Sequence, residues 1–282
     1  MNEKNNWDLV INSKTSILDL KLKELWHYRD LLFLVGKRDF VAFYKQTILG
    51  PIWFFIQPLF SMGIYSYIFG NLAGLSTDKI PAPLFYLAGI TAWTYFSECL
   101  TKTATVFRDN SNIFGKVYFP RLIMPLSLVV SNLVRFGVQL LLLIIIMLYY
   151  YFKGGQFTLS IYIFVFPILI VLMAALGLGL GMIVSALTTK YRDLAMLLAF
   201  GVQLLMYATT VVYPLSSVTG TARKFIEFNP MTSIIEGFRK GLFGQGSFDM
   251  YSLLYASIIT LIVLLFGTLI FNKVERNFVD TI

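Results

Sequence analysis

Cysteine and histidine occur once each in the 282 residues, as Cys99 and His27. A single thiol excludes an internal disulfide and a thiolate metal cage, and a lone imidazole removes His-pair metal sites. Charge is also scarce. Only 13% of the residues are Asp, Glu, Lys or Arg, about half the fraction of a soluble domain. No G-x-x-x-x-G-K-[ST] occurs, since Gly115-Lys116 has neither the upstream glycine nor the following hydroxyl. LGLGLG (176–181) lies inside an apolar run with no strand before it, so it is not a dinucleotide loop; small residues there suit close helix packing in lipid. Nothing resembles a nucleophile with its base. Strict apolar/polar alternation is missing too, which disfavours a β-barrel.

What is present is hydrophobicity: 57% of the residues are apolar and the mean hydropathy is +0.72. The apolar residues come in runs near or above the ~20 that a bilayer-crossing helix requires. The fold class is all-α, a polytopic membrane protein. We read six spans, at 49–70, 83–107, 122–152, 158–187, 194–213 and 250–272. The third and fourth exceed ~20 residues, so tilt, a kink at Pro167 or extension beyond the lipid is expected.

The net charge of +8 could suggest nucleic acid, but its distribution argues against it. Sixteen Lys and Arg fall on the side that holds both termini, six fall on the other, and Arg135 lies within a span. By the positive-inside rule both termini are cytoplasmic. The basic charge is a topology signal, with attraction to membrane lipids as a bonus.

Residues 17–46 are amphipathic in helical register, with Leu22, Leu25, Trp26, Leu32 and Phe33 sharing one broad face. Gly36 is expected to break the segment into two helices. Such a segment lies in the headgroup plane or serves as a basic flank. The basic residues Lys37, Arg38 and Lys45 precede Gly50-Pro51, which turns the chain into the membrane. In the loop after the second span, Asp109 or Asn110 could cap a short helix that Gly115 ends. The outer segment 214–249 carries too many charges to span, yet is apolar at helical spacing. Asn229-Pro230 is a good helix start and Gly244 a good stop. Two short amphipathic helices dipping partway into the outer leaflet are predicted, a depth tolerated where protein or a cavity covers the backbone.

Three charges fall within or beside spans. Glu98 and Lys102 stand four apart in a favourable order on a helix, and Arg135 is about four turns into the third span. Either Arg135 pairs with Glu98 to fix helix packing, or these charges form a polar lining that meets an anionic substrate. Aromatics crowd the same region: Trp53, Phe54 and Tyr65 in the first span, Trp93, Tyr95 and Phe96 in the second, Tyr207 and Tyr213 in the fifth. Rings at span ends suit interfacial belts. Trp93 and Tyr95 sit mid-span, where rings either pack or offer flat apolar contact to sliding sugars.

Several of these residues together resemble a known family. Arg38-Asp39, Tyr44-Lys45-Gln46-Thr47, Leu49-Gly50-Pro51, Trp53 and Gln57-Pro58 resemble the approach to the first span in ABC transporter permeases that export O-antigen, teichoic acid and related polysaccharides. Lys116-Val117-Tyr118-Phe119-Pro120-Arg121 is similar to the segment after their cytoplasmic coupling helix, and Asn229-Pro230 with Ile234, Ile235 and Arg239 looks like their outer hairpin. The match runs in order from about Tyr28 onward.

The resemblance implies a homodimeric permease, not an enzyme, with two copies of a separate ATPase subunit that binds ATP and Mg, and no cofactor in this chain. The substrate it implies is an undecaprenyl-diphosphate-linked polysaccharide crossing the bacterial inner membrane. Residues 1–47 would form a cytoplasmic segment with interface helices, and 48–282 the six-span domain. Within it, 108–121 would hold the coupling helix (Asn110, Ser111, Asn112, Ile113, Phe114, Gly115 and Lys116) and 214–249 the outer gate, with Phe225, Glu227, Asn229, Pro230 and Arg239. Lys37, Arg38, Tyr44 and Lys45 would guide the lipid diphosphate, and the rings would line the sugar path. Teichoic acid, capsule and small-molecule exporters are the neighbouring alternatives. A polyprenyl-phosphate glycosyltransferase is a different class, but it should show paired carboxylates on a cytoplasmic loop, and Asp109 and Asp193 are not clustered.

Overall fold

The computed structural model describes residues 22–45, 47–110, 113, 119–155, 158–191 and 193–278. Among them are eleven α-helices and no strand. Helix α1 (Leu22–His27) passes into α2 (Arg29–Tyr44) at Tyr28, so the break does not fall at Gly36. Gly36 is buried inside α2, where a Cβ would stand 3.2 Å from the Ser127 carbonyl oxygen. Glycine is tolerated there because it lets α2 lie close on a neighbouring helix, a tertiary gain that outweighs its helix cost of about 1 kcal/mol. The broad apolar face divides accordingly. Leu25 and Leu32 pack with buried Val35, whereas Trp26 and Phe33 are exposed.

Gly50 takes φ +52°, open to glycine without strain, and begins a 3₁₀ turn, Gly50–Ile52, that leads into α3 (Trp53–Tyr65). The last turns of this span widen into a π-helical stretch, Ser66–Leu72. After α4 (Ala82–Ala104) and the single turn α5 (Val106–Asp109) comes α6 (Ile123–Phe152). A 3₁₀ turn, Ile161–Val165, opens α7 (Phe166–Lys190). Pro167 therefore sits in the first turn of α7, where its missing N–H costs least. Then come α8 (Leu194–Tyr207), α9 (Gly220–Phe228), α10 (Pro230–Phe243) and α11 (Met250–Phe278).

Four described stretches are long and apolar enough to cross a membrane: Gly50–Leu72, Ile123–Phe152, Ile161–Lys190 and Met250–Val274. The other two expected spans differ for physical reasons. Helix α4 has 23 residues, but it carries Glu98, Lys102 and several hydroxyls and is buried along most of its length. Helix α8 has only 14 residues, about 21 Å at 1.5 Å per residue. It stops because the Thr209 hydroxyl donates to the Met206 carbonyl at 2.7 Å and the chain turns, leaving Thr209–Val212 buried but not helical.

The packing centre is α7, which lies between α4 and α11. Its glycines alternate faces. A Cβ on Gly177 would stand 2.8 Å from the Phe96 carbonyl oxygen, and one on Gly181 2.7 Å from that of Leu100, both on α4. A Cβ on Gly179, between them, would meet the Leu264 backbone of α11 at 2.9 Å, and Gly267 faces Gly179 in turn. Lipid tails are as apolar as leucine, so helices in a bilayer gain chiefly from such close van der Waals approach. The Thr188 hydroxyl, donating to the Ala104 carbonyl, closes the same seam. Gly179→Ala and Gly181→Ala should each lower stability by about 1–3 kcal/mol through overpacking. Gly137→Ala, whose Cβ would meet no atom within 4 Å, should be neutral or gain up to about 1 kcal/mol of helix propensity. Thermal unfolding in detergent micelles reads all three.

Candidate functional site

The segment after α8 sets the problem. Thr209, Thr210 and Val211 are 0% exposed, and a buried carbonyl outside a helix needs a donor. Helix α10 supplies one. The Asn229 side chain accepts the Met231 N–H at 3.0 Å, Pro230 fills the next position, and Gly244 at φ +71° ends the helix. One face of α10 then carries Arg239 into the interior, 1% exposed. Its Nη1 donates to the Thr210 carbonyl at 2.5 Å, and its Nη2 donates to the carbonyls of Val211 at 2.8 Å and Phe85 at 3.3 Å. The guanidinium lies 3.5 Å from the Phe85 ring centroid. Gly89 makes the room, since a Cβ there would meet Nη2 at 2.7 Å.

Glu236, one turn earlier, balances that charge with Oε1 3.6 Å from Nη1 and is itself 1% exposed. Its carboxylate accepts the N–H groups of Leu215 at 3.3 Å and Ser247 at 2.9 Å. The pair thus ties α10 to the turn after α8, to α4 and to the loop before α11. In the sequence Glu236 is one of the charges that make 214–249 unfit to span. The usable signal was its spacing of three from Arg239 on an otherwise apolar helix face. Helix α9 is the opposite case, because it buries no residue. Phe225 is 80% exposed, and Glu227 is exposed and paired with Arg223 at 2.7 Å.

A second polar cluster joins α4 to α6. Glu98 Oε2 accepts from Arg135 Nη1 at 2.7 Å and from Lys102 Nζ at 2.8 Å, and Lys102 also reaches Asn132 Oδ1 at 3.0 Å. Arg135 stands 5.8 Å from the Phe54 ring centroid, which links α3 to the cluster. Pairing and packing thus describe these charges here, although Glu98 and Lys102 keep about a third of their side-chain surface open (29% and 33%). Asn132, absent from the sequence reading, bridges Lys102 and the Cys99 sulfur.

The aromatic candidates separate by exposure. Trp93, Tyr95 and Phe96 are 6%, 3% and 1% exposed. Trp93 packs on Phe96 with ring centroids 5.2 Å apart, and Tyr95 on Phe136 at 5.0 Å. Within this chain these three rings are buried, packed between α4 and its neighbouring helices. Phe54 is also buried and stacks on Phe40 at 5.2 Å, joining α2 to α3. Trp53 (41%) and Tyr207 (46%) are exposed. Tyr65 is partly buried, its hydroxyl reaching Met206 Sδ at 4.0 Å, and Tyr213 donates to the Tyr207 carbonyl at 2.7 Å.

Of the residues singled out before the first span, Lys37, Arg38 and Lys45 are exposed, with Arg38 on Asp39 at 2.8 Å. Tyr44 sits edge-on to Phe40 and Phe54. Of the coupling-loop residues, Asn110 ends α5 by donating its side-chain amide to the Val106 carbonyl, and the Ile113 N–H donates back to the Asn110 carbonyl at 3.0 Å. Ser111, Asn112, Phe114, Gly115 and Lys116 lie outside the described residues.

A family model described as ABC-2 type transporter matches residues 30–243. The chain belongs to that family. This ABC-2 type transporter protein is a multi-pass membrane transport permease. It is 27% identical over 264 residues to the O-antigen export system permease protein RfbA of Myxococcus xanthus, covering 93% of this chain and 98% of that one. It is 28% identical over 266 residues to a protein of the same name from Klebsiella pneumoniae, covering 93% and 99%. The matched region of the ABC-2 transporter runs from α2 to the end of α10 and so includes both polar clusters.

Arg239→Lys should cost about 1.5–3 kcal/mol, because an ammonium cannot fork across three carbonyls that become partly unpaired. Glu98→Ala should cost about 1–3 kcal/mol, because it removes the carboxylate that lies between the two cations Arg135 and Lys102. Adding Arg135→Met to that variant should restore part of the loss. Unfolding midpoints of the purified protein in detergent measure each step.

Proposed function

We propose that this chain is the membrane permease of an ABC exporter that moves an undecaprenyl-diphosphate-linked O-antigen polysaccharide across the bacterial inner membrane. The observation that carries this reading is similarity along 93% of the chain to permeases named for O-antigen export. Two copies of the chain would pair. The exposed apolar rows on α3 and its π-helical extension (Phe60, Ile64, Tyr67) and on α8 (Leu197, Phe200, Leu204) are available for that contact. The sequence holds no phosphate-binding glycine loop, which supports placing ATP and Mg in a separate hydrolase, two copies per permease pair. That hydrolase would dock on the cytoplasmic loop around 110–116, and both termini would lie on the same side.

In this reading Arg38 and Lys45 meet the lipid diphosphate at the headgroup level. Among the described residues Arg38 is held by a partly exposed pair with its neighbour Asp39, worth at most about 1 kcal/mol, so its guanidinium can exchange partners for phosphate oxygens. Trp53, Tyr207 and Tyr213 would present rings to the sugar chain, with Phe225, Glu227 and the α10 helix near its exit. The loop around 110–116 would pass the hydrolase's motion to the spans.

Copurification of the tagged chain with a nucleotide hydrolase, and ATP-dependent export of labelled lipid-linked glycan from membrane vesicles, test the assignment together. A pair that exports only a small solute would move the chain to the drug-exporter branch. Arg38→Ala with Lys45→Ala should lower glycan export by about tenfold or more, the loss of one to two charge-assisted contacts, while the amount of hydrolase recovered stays the same. Equal export by that double variant would remove the diphosphate role.

A further inference from the structure

Beside the buried Glu236–Arg239 pair, a cavity of about 630 Å³ opens between α9, α10 and the first turns of α11. That volume is in the range of small-ligand sites, but the lining is not that of an apolar drug pocket. Arg223, Lys224 and Lys240 face Glu227, Glu236 and Asp249, three cations against three carboxylates. With Arg239 behind Glu236 the local sum is four cations to three carboxylates, a mixed lining in which an anion meets carboxylates as well as cations. Most of these charges are also occupied. Arg223 holds Glu227, the Phe248 carbonyl accepts from Lys240 at 2.6 Å, Asp249 accepts from Ser252, and Glu236 accepts two backbone N–H groups. Held groups of mixed sign, with lone pairs still open on the carboxylates, recognise hydroxyls better than they recognise net charge.

The remaining walls are rings and hydroxyls. Phe228 and Tyr255 stand 6.1 Å apart, fixed by the Tyr255 hydroxyl donating to the Phe228 carbonyl at 2.7 Å. Tyr251, 83% exposed, is at the rim. Flat rings meet the C–H faces of sugars, and their polar edges remain wet. One further observation points to a ligand. Thr232 lines the cavity, is 1% exposed, and its hydroxyl has no hydrogen-bond partner among the described residues. A buried hydroxyl left unpaired costs free energy, and a ligand hydroxyl would satisfy it.

We propose that this cavity binds a short, uncharged stretch of carbohydrate and holds it at the outer face of the protein. The inference rests on the polysaccharide reading given above and adds to it a defined site for the sugar outside the spans. A bound sugar there would bridge the loosely held α9 to the firmly anchored α10, so occupancy and the position of α9 are linked.

The test uses the full chain in lipid nanodiscs. The probe is the set of oligosaccharides released by mild acid from the surface glycan of the producing cells, end-labelled with a neutral fluorophore. Saturable binding of neutral fragments is expected. Thr232→Val, which keeps the side-chain shape, and Tyr251→Ala, at an exposed position, should each weaken it by about tenfold. Absence of saturable binding, binding of acidic fragments alone, or affinity unchanged in both variants overturns the proposal. Glycan export from vesicles, measured on the same preparations, separates the two readings. Export without binding refutes the sugar site alone, and absence of both refutes the polysaccharide assignment with it.

Discussion

In hydrocarbon, a backbone carbonyl that leaves a helix must find a donor within the protein, because no water is there to substitute. The chain leaves its helix at Thr209, in the buried turn after α8, and the donor is the guanidinium of Arg239. Much of the arrangement around α10 follows from that one solution. Helix α10 must be buried for Arg239 to reach the turn, so its face is apolar on both sides of the charge. Glu236 must accompany it, because an unbalanced guanidinium at 1% exposure would be too costly. Gly89 must lack a side chain, or the fork would not fit. The free carboxylate lone pairs then order the Leu215 and Ser247 amides, which fixes the loops on both sides of the cavity.

The packing around α7 is organised chiefly by close contact. Glycines on alternate faces of α7 bring α4 and α11 to backbone distance, and the Glu98–Arg135–Lys102 cluster adds a polar clamp from α4 to α6. Each feature uses the physics suited to its place. Close approach replaces a hydrophobic driving force that lipid does not supply, and shared hydrogen bonds make charge tolerable where it is needed.

Much of this was legible in the residues. Long apolar runs gave the all-α class, and Asn229, Pro230 and Gly244 gave α10 its two ends. The glycine stripe was readable as packing because nothing before it could be a strand. Depth was not legible. A charged residue on a short helix reads as a surface feature, and only the turn at Thr209–Val212, created by a local hydroxyl contact, draws Arg239 inward. Mid-span rings such as Trp93 and Phe96 could equally face a path or a neighbour, since periodicity gives the face of a helix but not what lies against it. Gly36 misled for the same reason: a helix breaker by propensity, it is a contact point by packing.

The seam of bare backbone along α7 has a mechanical consequence. Where side chains interdigitate, helices can slide by exchanging rotamers, but two main chains in direct contact have nothing to re-sort. Helices α4, α7 and α11 must therefore travel as a rigid body. Any relative motion within the chain would then fall outside that trio, on elements packed less closely against it, such as α3 with its π-helical end, the short α8 and the unburied α9.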